Sequence, residues 1–67
     1  NDFVPVENSR AAELGYQLLK TNTTPPKFKY KDPSGAESSQ TFDSEADAMV
    51  RIERMAEIRR RAGLVNQ

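Results

Sequence analysis

Thr41-Phe42-Asp43-Ser44-Glu45-Ala46-Asp47 leads into Ala48-Met49-Val50-Arg51-Ile52-Glu53-Arg54-Met55-Ala56-Glu57-Ile58-Arg59-Arg60-Arg61-Ala62 and stops at Gly63. The spacing predicts one amphipathic helix, capped by Asp43 or Ser44 and running to about Ala62. Ala48, Met49, Ile52, Met55, Ala56 and Ala62 recur on a single apolar stripe. Acids open the segment and Arg59, Arg60 and Arg61 close it, both in the sense that the helix dipole favours. Glu57 precedes Arg61 at i,i+4 spacing, a pair worth only a few tenths of a kcal/mol. Gly63 stands where a terminating glycine belongs, and Leu64 and Val65 are placed to fold back as its apolar contact.

Upstream of this helix, Lys27–Lys31 alternates strictly, with Phe28 and Tyr30 on one face and Lys27, Lys29 and Lys31 on the other. Asp32-Pro33-Ser34-Gly35 is a turn signal, and Ala36–Phe42 is expected to return as a polar second strand whose inner face is poor in apolar area. Thr21–Pro26 reads as a linker that the Pro25-Pro26 pair holds extended. Before it, Asn8 or Ser9 is expected to cap a first helix to about Lys20. Ala11, Leu14, Gly15 and Leu18 follow helical spacing, with Ala12 and Leu19 beside them. A glycine inside that stripe costs about 1 kcal/mol and suggests close approach of another backbone. Residues 1–8, broken by Pro5, read as an arm or an edge strand. The expectation is a single α+β domain over 1–67, with two helices packed on a small antiparallel β-hairpin or three-stranded sheet. Its element order is α-β-β-α behind an extended N-terminal arm.

The chain has 67 residues, which allows one domain. At this size only about 60% of the unfolded surface is buried on folding. The few large apolar side chains suffice for one thin layer of helix on sheet, not for the roof of a pocket of about 300 Å³ or more. There is no cysteine, so disulfides and thiolate metal sites are excluded, and a partner subunit becomes a reasonable further source of burial. Lys plus Arg and Asp plus Glu number ten each, so the formal net charge is zero and long-range steering toward nucleic acid is weak. No apolar run is long enough to span a membrane and no signal-peptide pattern is visible, so a soluble, cytoplasmic protein is expected.

Catalysis finds little support. Histidine and cysteine are absent, the serines have only open-strand lysines as bases, and Glu53 and Glu57 lie on a polar helix side with no cleft to raise a pKa. Asp43, Glu45 and Asp47 have the spacing of a calcium loop's first ligands, but no glycine or twelfth-position glutamate follows. They suit the positive end of a helix dipole better. No cofactor or small-molecule substrate is expected. Asn22-Thr23-Thr24 matches a glycosylation acceptor by chance, and Pro25-Pro26 is too short for a proline-helix ligand.

Two binding surfaces remain. The first would bind nucleic acid through Lys27, Lys29, Lys31, Arg59, Arg60 and Arg61. Against it, alternation sets Phe28 and Tyr30 opposite the lysines, as an aromatic core face with a solvated, edge-protecting lysine face. The second would dock a protein on the later helix through Met49, Val50, Met55, Ile58 and Arg59, with the N-terminal arm contributing. Val50 lies on the far side of the stripe and Ile58 on its flank. Arg59 falls within the stripe, either at a rim meeting an acidic surface or phosphate, or with its stem lying over the core.

The run Phe28-Lys29-Tyr30-Lys31-Asp32-Pro33-Ser34-Gly35, then Thr41-Phe42-Asp43-Ser44-Glu45 and the Arg-rich helix, resembles the phage head-completion protein W family. That resemblance covers about two thirds of the chain at the level of pattern, and this chain departs from it in its arm and its Pro-containing linker. It implies a short α+β subunit at a phage portal, with the basic residues of hairpin and helix touching DNA or portal. The Gly-turn, Thr-Phe-Asp-Ser and Ala-rich helix are also similar to sheet-plus-helix DNA-reading domains, such as plant Apetala-type modules and integrase arm-binding domains. Those use three strands, and residues 3–6 would have to supply the third. The resulting expectation is a non-enzymatic, stoichiometric structural or interaction protein of a larger assembly, with a small nucleic-acid-binding module as the alternative.

Overall fold

The computed structural model describes residues 3–63. Their order is β1 (Phe3–Val6), α1 (Ser9–Glu13), β2 (Gln17–Thr21), β3 (Phe28–Lys31) and α2 (Glu45–Arg61). The strands form one antiparallel sheet in the order β1-β2-β3, so β2 is central. The class is α+β as expected, but the order β-α-β-β-α replaces α-β-β-α. Among the described residues no helix is long and apolar enough to cross a membrane.

The first correction is the early helix. It starts as expected, with the Asn8 side chain accepting from the Ala11 amide at 3.0 Å, but it ends at Glu13 rather than Lys20. Gly15 takes φ +85°, its amide donates to Ala12 O at 3.0 Å, and the Tyr16 amide donates to Ala11 O at 2.8 Å. This paired closure is how a left-handed glycine ends a helix. The neighbour at Gly15 is the Pro33 ring, whose Cγ lies 3.3 Å from where a Cβ would stand, not another backbone. The following residues then spend their apolar side chains on both faces of a central strand. Leu18 is 0% exposed on one face and Leu19 is 4% exposed on the other. A short apolar run of this kind fits both periods, and the turn decides between them.

The segment 3–6 is an edge strand. Val4 pairs with Lys20, Pro5 with Leu19 and Val6 with Leu18. The regular hairpin is β2–β3, with Leu18 opposite Tyr30 and Lys20 opposite Phe28. Residues 22–27 make its loop, where the Lys27 amide donates to Thr21 Oγ1 and the Thr21 amide donates to Lys27 O, both at 2.8 Å.

The expected polar strand over Ala36–Phe42 is the second correction. Only two isolated bridges, Phe28 with Phe42 and Lys31 with Glu37, tie it to β3. Between them Ser38 improvises: its amide donates to Tyr30 O at 2.8 Å, and its hydroxyl accepts from the Tyr30 amide at 3.3 Å and donates to Gln40 O at 2.9 Å. Ser38, Ser39 and Gln40 have no apolar face to bury, so nothing holds a regular ladder there.

The long helix forms between Ser44, whose hydroxyl accepts from the Asp47 amide at 3.1 Å, and Ala62 as its C-cap. Leu64 and Val65 lie outside the described residues. Ala48, Ile52 and Ala56 face the sheet, and the alanines let the helix approach closely. They pack with Ala11, Tyr16, Leu18, Phe28 and Tyr30 into one core. The Tyr16 and Tyr30 rings meet edge-on at 5.6 Å, and Tyr30 stacks on Phe42 at 6.1 Å. Both helices cover the same side of the sheet.

Replacing Gly15 by Ala should cost more than about 1 kcal/mol, since the new Cβ is strained at positive φ. The loss should exceed that of the same change at Gly35, which also has positive φ but nothing within 4 Å of the added atom. Urea midpoints measure both, and an unchanged midpoint for the Gly15 variant would show that the turn does not require it.

Candidate functional site

Helical rotation sorts the residues of α2 into an inner, a flanking and an outer set. Ile52 sets the inner direction and is 0% exposed. Met49 and Met55 stand to either side of it, partly buried and packed against the core. These two expected docking residues are therefore largely spent on folding. Val50 is 70% exposed on the outer side and Ile58 is 50% exposed beside it. Asp47, Arg54 and Arg61 share this outer face, with Arg51 half-buried at its margin.

The acids of α2 mostly have local partners. Glu45 accepts from Asn8 Nδ2 at 2.7 Å, and Glu53 pairs with Arg10 at 3.4 Å, tying α1 to α2. Arg10 also pairs with Glu13 at 3.3 Å, and its guanidinium pKa is raised chiefly by the hydrogen bond to Glu53. Glu57 takes both Arg60 and Arg61, the latter at 2.9 Å, and the hydrogen bond from Arg60 leads in holding its pKa below the ordinary value. Among the described residues Arg51 and Arg54 have no ion pair.

Arg59 is half-buried, as its place in the stripe requires. Its Nε and the Tyr16 hydroxyl are buried with no hydrogen-bond partner among the described residues. Burial pushes the Tyr16 phenol up, with the Arg59 charge opposing. Arg59 also acts on Asp32, whose Oδ1 accepts from the Ser34 hydroxyl at 2.6 Å, the Ser34 amide at 2.9 Å and the Ala36 amide at 3.0 Å. The Ser34 hydroxyl leads in holding that carboxyl below its ordinary value. Arg59 thus carries a buried Nε at the far end of the apolar stripe.

On the other side of the sheet, strand register places Phe3, Pro5, Leu19, Thr21, Lys29 and Lys31 together. Among the described residues no helix covers this face. Lys29 Nζ sits 4.4 Å from the Phe3 ring centroid and 2.6 Å from Glu37 Oε1. Lys27 pairs with Asp43 at 2.6 Å. The hydrogen bonds from Lys29 and Lys27 are the main reason that Glu37 and Asp43 lie below their ordinary pKa values. Phe28 and Tyr30 are buried on the opposite face, away from these lysines. The Lys29–Phe3 contact escaped sequence reading, because it needs β1 and β3 to flank a common strand.

Two concavities border α1. The larger, about 640 Å³, is an open trough lined by residues including Glu7, Ser9, Glu13, Tyr16 and Gln17. It exceeds the volume that the composition led one to expect, because it is a surface hollow without a roof. The smaller, about 210 Å³, lies between the helices and includes Arg10, Glu13, Glu53 and Arg60. Among the described residues no group of three or more His, Cys, Asp or Glu is placed to hold a metal. Asp43 and Glu45 are instead turned to Lys27 and Asn8.

Tyr16→Phe removes an unpaired buried hydroxyl while keeping the ring, so it should be neutral or stabilising by up to about 1 kcal/mol in urea unfolding. A clear loss would reveal a bond that the hydroxyl makes. The Asp32 carboxyl is held below its ordinary 3.8 in the folded chain, so its contribution is present above that pH and fades as pH falls through the folded value. Asp32→Ala should accordingly lower stability at neutral pH and flatten the acid limb of a stability-versus-pH curve; an acid limb parallel to that of the parent chain would contradict this. No family model, no curated protein and no solved structure matches the chain.

Proposed function

We propose that this chain is a non-enzymatic, stoichiometric interaction domain that docks on a protein partner through the outer face of α2. The observation that carries this reading is the exposure of Val50 and Ile58, 70% and 50%, on a helix whose inner face already fills the core. Single exposed aliphatics are ordinary. Two on one helix face, about 12 Å apart along the axis and bordered by Arg51 and Arg54, which have no ion pair among the described residues, form an anchor. Folding uses Ile52, Ala48 and Ala56, so the outer pair is free for a partner.

The nucleic-acid alternative is weaker on this geometry. Phe28 and Tyr30 are in the core and cannot stack on bases, while Lys27 and Lys29 already carry counter-carboxylates. The larger assembly we favour is a phage head-tail joint. That proposal rests on the resemblance of Phe28–Gly35, Thr41–Glu45 and the Arg-rich helix to head-completion proteins, and a gene neighbourhood without capsid or tail genes would remove it.

Affinity capture from an extract of the source should retain a protein that Val50→Asp with Ile58→Asp loses, while Lys29→Glu with Lys31→Glu retains it. Nuclease treatment should have no effect. Binding through many phosphates would fall by orders of magnitude between low and moderate salt, whereas this contact should change far less. Capture that disappears with nuclease, or with the lysine variant alone, would overturn the proposal.

A further inference from the structure

We infer that the outer face of α2 selects an acidic protein segment carrying two aliphatic residues about two helical turns apart. The inference rests on the docking reading above and names the chemistry of the partner. Its basis is the distribution of charge on the helix. Glu45, Glu53 and Glu57 are held by Asn8, Arg10 and the Arg60–Arg61 pair. The tethers of Glu45 and Glu53 reach α1 and its cap, and Glu57 with Arg60 lies beside α1, while Arg61 reaches Glu57 from the outer face as a compensated pair. Arg51 and Arg54, which border Val50 and Ile58, have no ion pair among the described residues, and against them the outer face sets one unpaired acid, Asp47, so it keeps an excess of positive charge although the chain as a whole is neutral.

Charge and shape together narrow the occupant. A second copy docked antiparallel over the same anchors would place its two-fold axis at Arg54, midway between Val50 and Ile58. Two guanidiniums would then face each other with no counter-charge at the centre. Phosphate backbone would answer the arginines but leave Val50 and Ile58 against charge. An acidic amphipathic helix or strand meets both demands: its aliphatics cover Val50 and Ile58, and its carboxylates take Arg51 and Arg54 in forked hydrogen bonds. Charge pairing around an apolar anchor sets which partner is accepted more than how tightly it holds.

The test displays random peptides, about four helical turns long, to the whole chain. The bound set should be rich in Asp and Glu around two spaced aliphatics. A selected peptide should lose about tenfold or more in affinity to the Val50→Asp, Ile58→Asp variant. Arg51→Glu with Arg54→Glu should switch the selected set to basic peptides, and the milder Arg51→Gln with Arg54→Gln should weaken binding without switching it. Circular dichroism of each variant checks that α2 persists.

Peptides that need Val50 and Ile58 but show no acidic bias would overturn the acidic assignment and leave the docking reading standing. An empty selection, or peptides indifferent to all four positions, would overturn both. Duplex oligonucleotide bound equally well at the same arginines would overturn the inference in favour of nucleic acid. A dimer in sedimentation that Arg54→Glu alters would overturn it in favour of a second copy.

Discussion

The reversal at Gly15 decides where Leu18 lies, and Leu18 and Ile52 are the largest side chains that the core encloses completely. With φ +85° the glycine closes α1 after little more than one turn and sends Tyr16 through Thr21 across the sheet. Because β2 is central, both other strands take their register from it. Were the early helix to continue, β1 would lose its only partner strand, and Ile52 would face a gap where Leu18 and Tyr16 now pack. In a chain this short no second core stands in reserve. The Pro33 ring against Gly15 couples the same reversal to the Asp32 turn.

The two sides of the sheet solve the problem of cover differently. Both helices lie on one side, tethered to each other by Arg10 with Glu53 and by Asn8 with Glu45. Among the described residues the other side has no second layer, yet Leu19 is 4% exposed there. Phe3, Lys29 and Lys31 share that face, and long cationic stems cover apolar surface while their charged ends stay wet. The lysine row is thus a working part of the fold. Once the inner helix face and the lysine face are accounted for, the outer surface of α2 still presents Val50 and Ile58, bordered by Arg51 and Arg54, which have no ion pair among the described residues.

α2 was legible in the sequence because every local signal agreed: Ser44 as cap, acids before arginines, and an inner stripe built on Ile52. The alternation of Phe28 and Tyr30 with lysines likewise identified β3. β2 was not legible, since Leu18-Leu19 satisfies helical and strand periods alike, and Gly15 read as an interior glycine of the helix that it ends. The weak pairing of Ala36–Phe42 was foreshadowed by its lack of apolar residues, but the Ser38 hydroxyl replacing a backbone partner was not. At the candidate site, the outward position of Val50 follows from helical rotation alone. The inward share of Met49, Met55 and Arg59 depends on how closely alanines admit the helix to the sheet. The tether from Arg10 to Glu53 joins residues far apart in sequence, and no local pattern announces it.

Pro5 stands in the outermost strand, paired with Leu19 on one side only. An imino nitrogen cannot donate, so a ladder that needed this residue's amide could not form, which suits proline to an edge strand. Proline on a sheet's edge is one of the devices that discourage lateral pairing between sheets, and here a single ring supplies it.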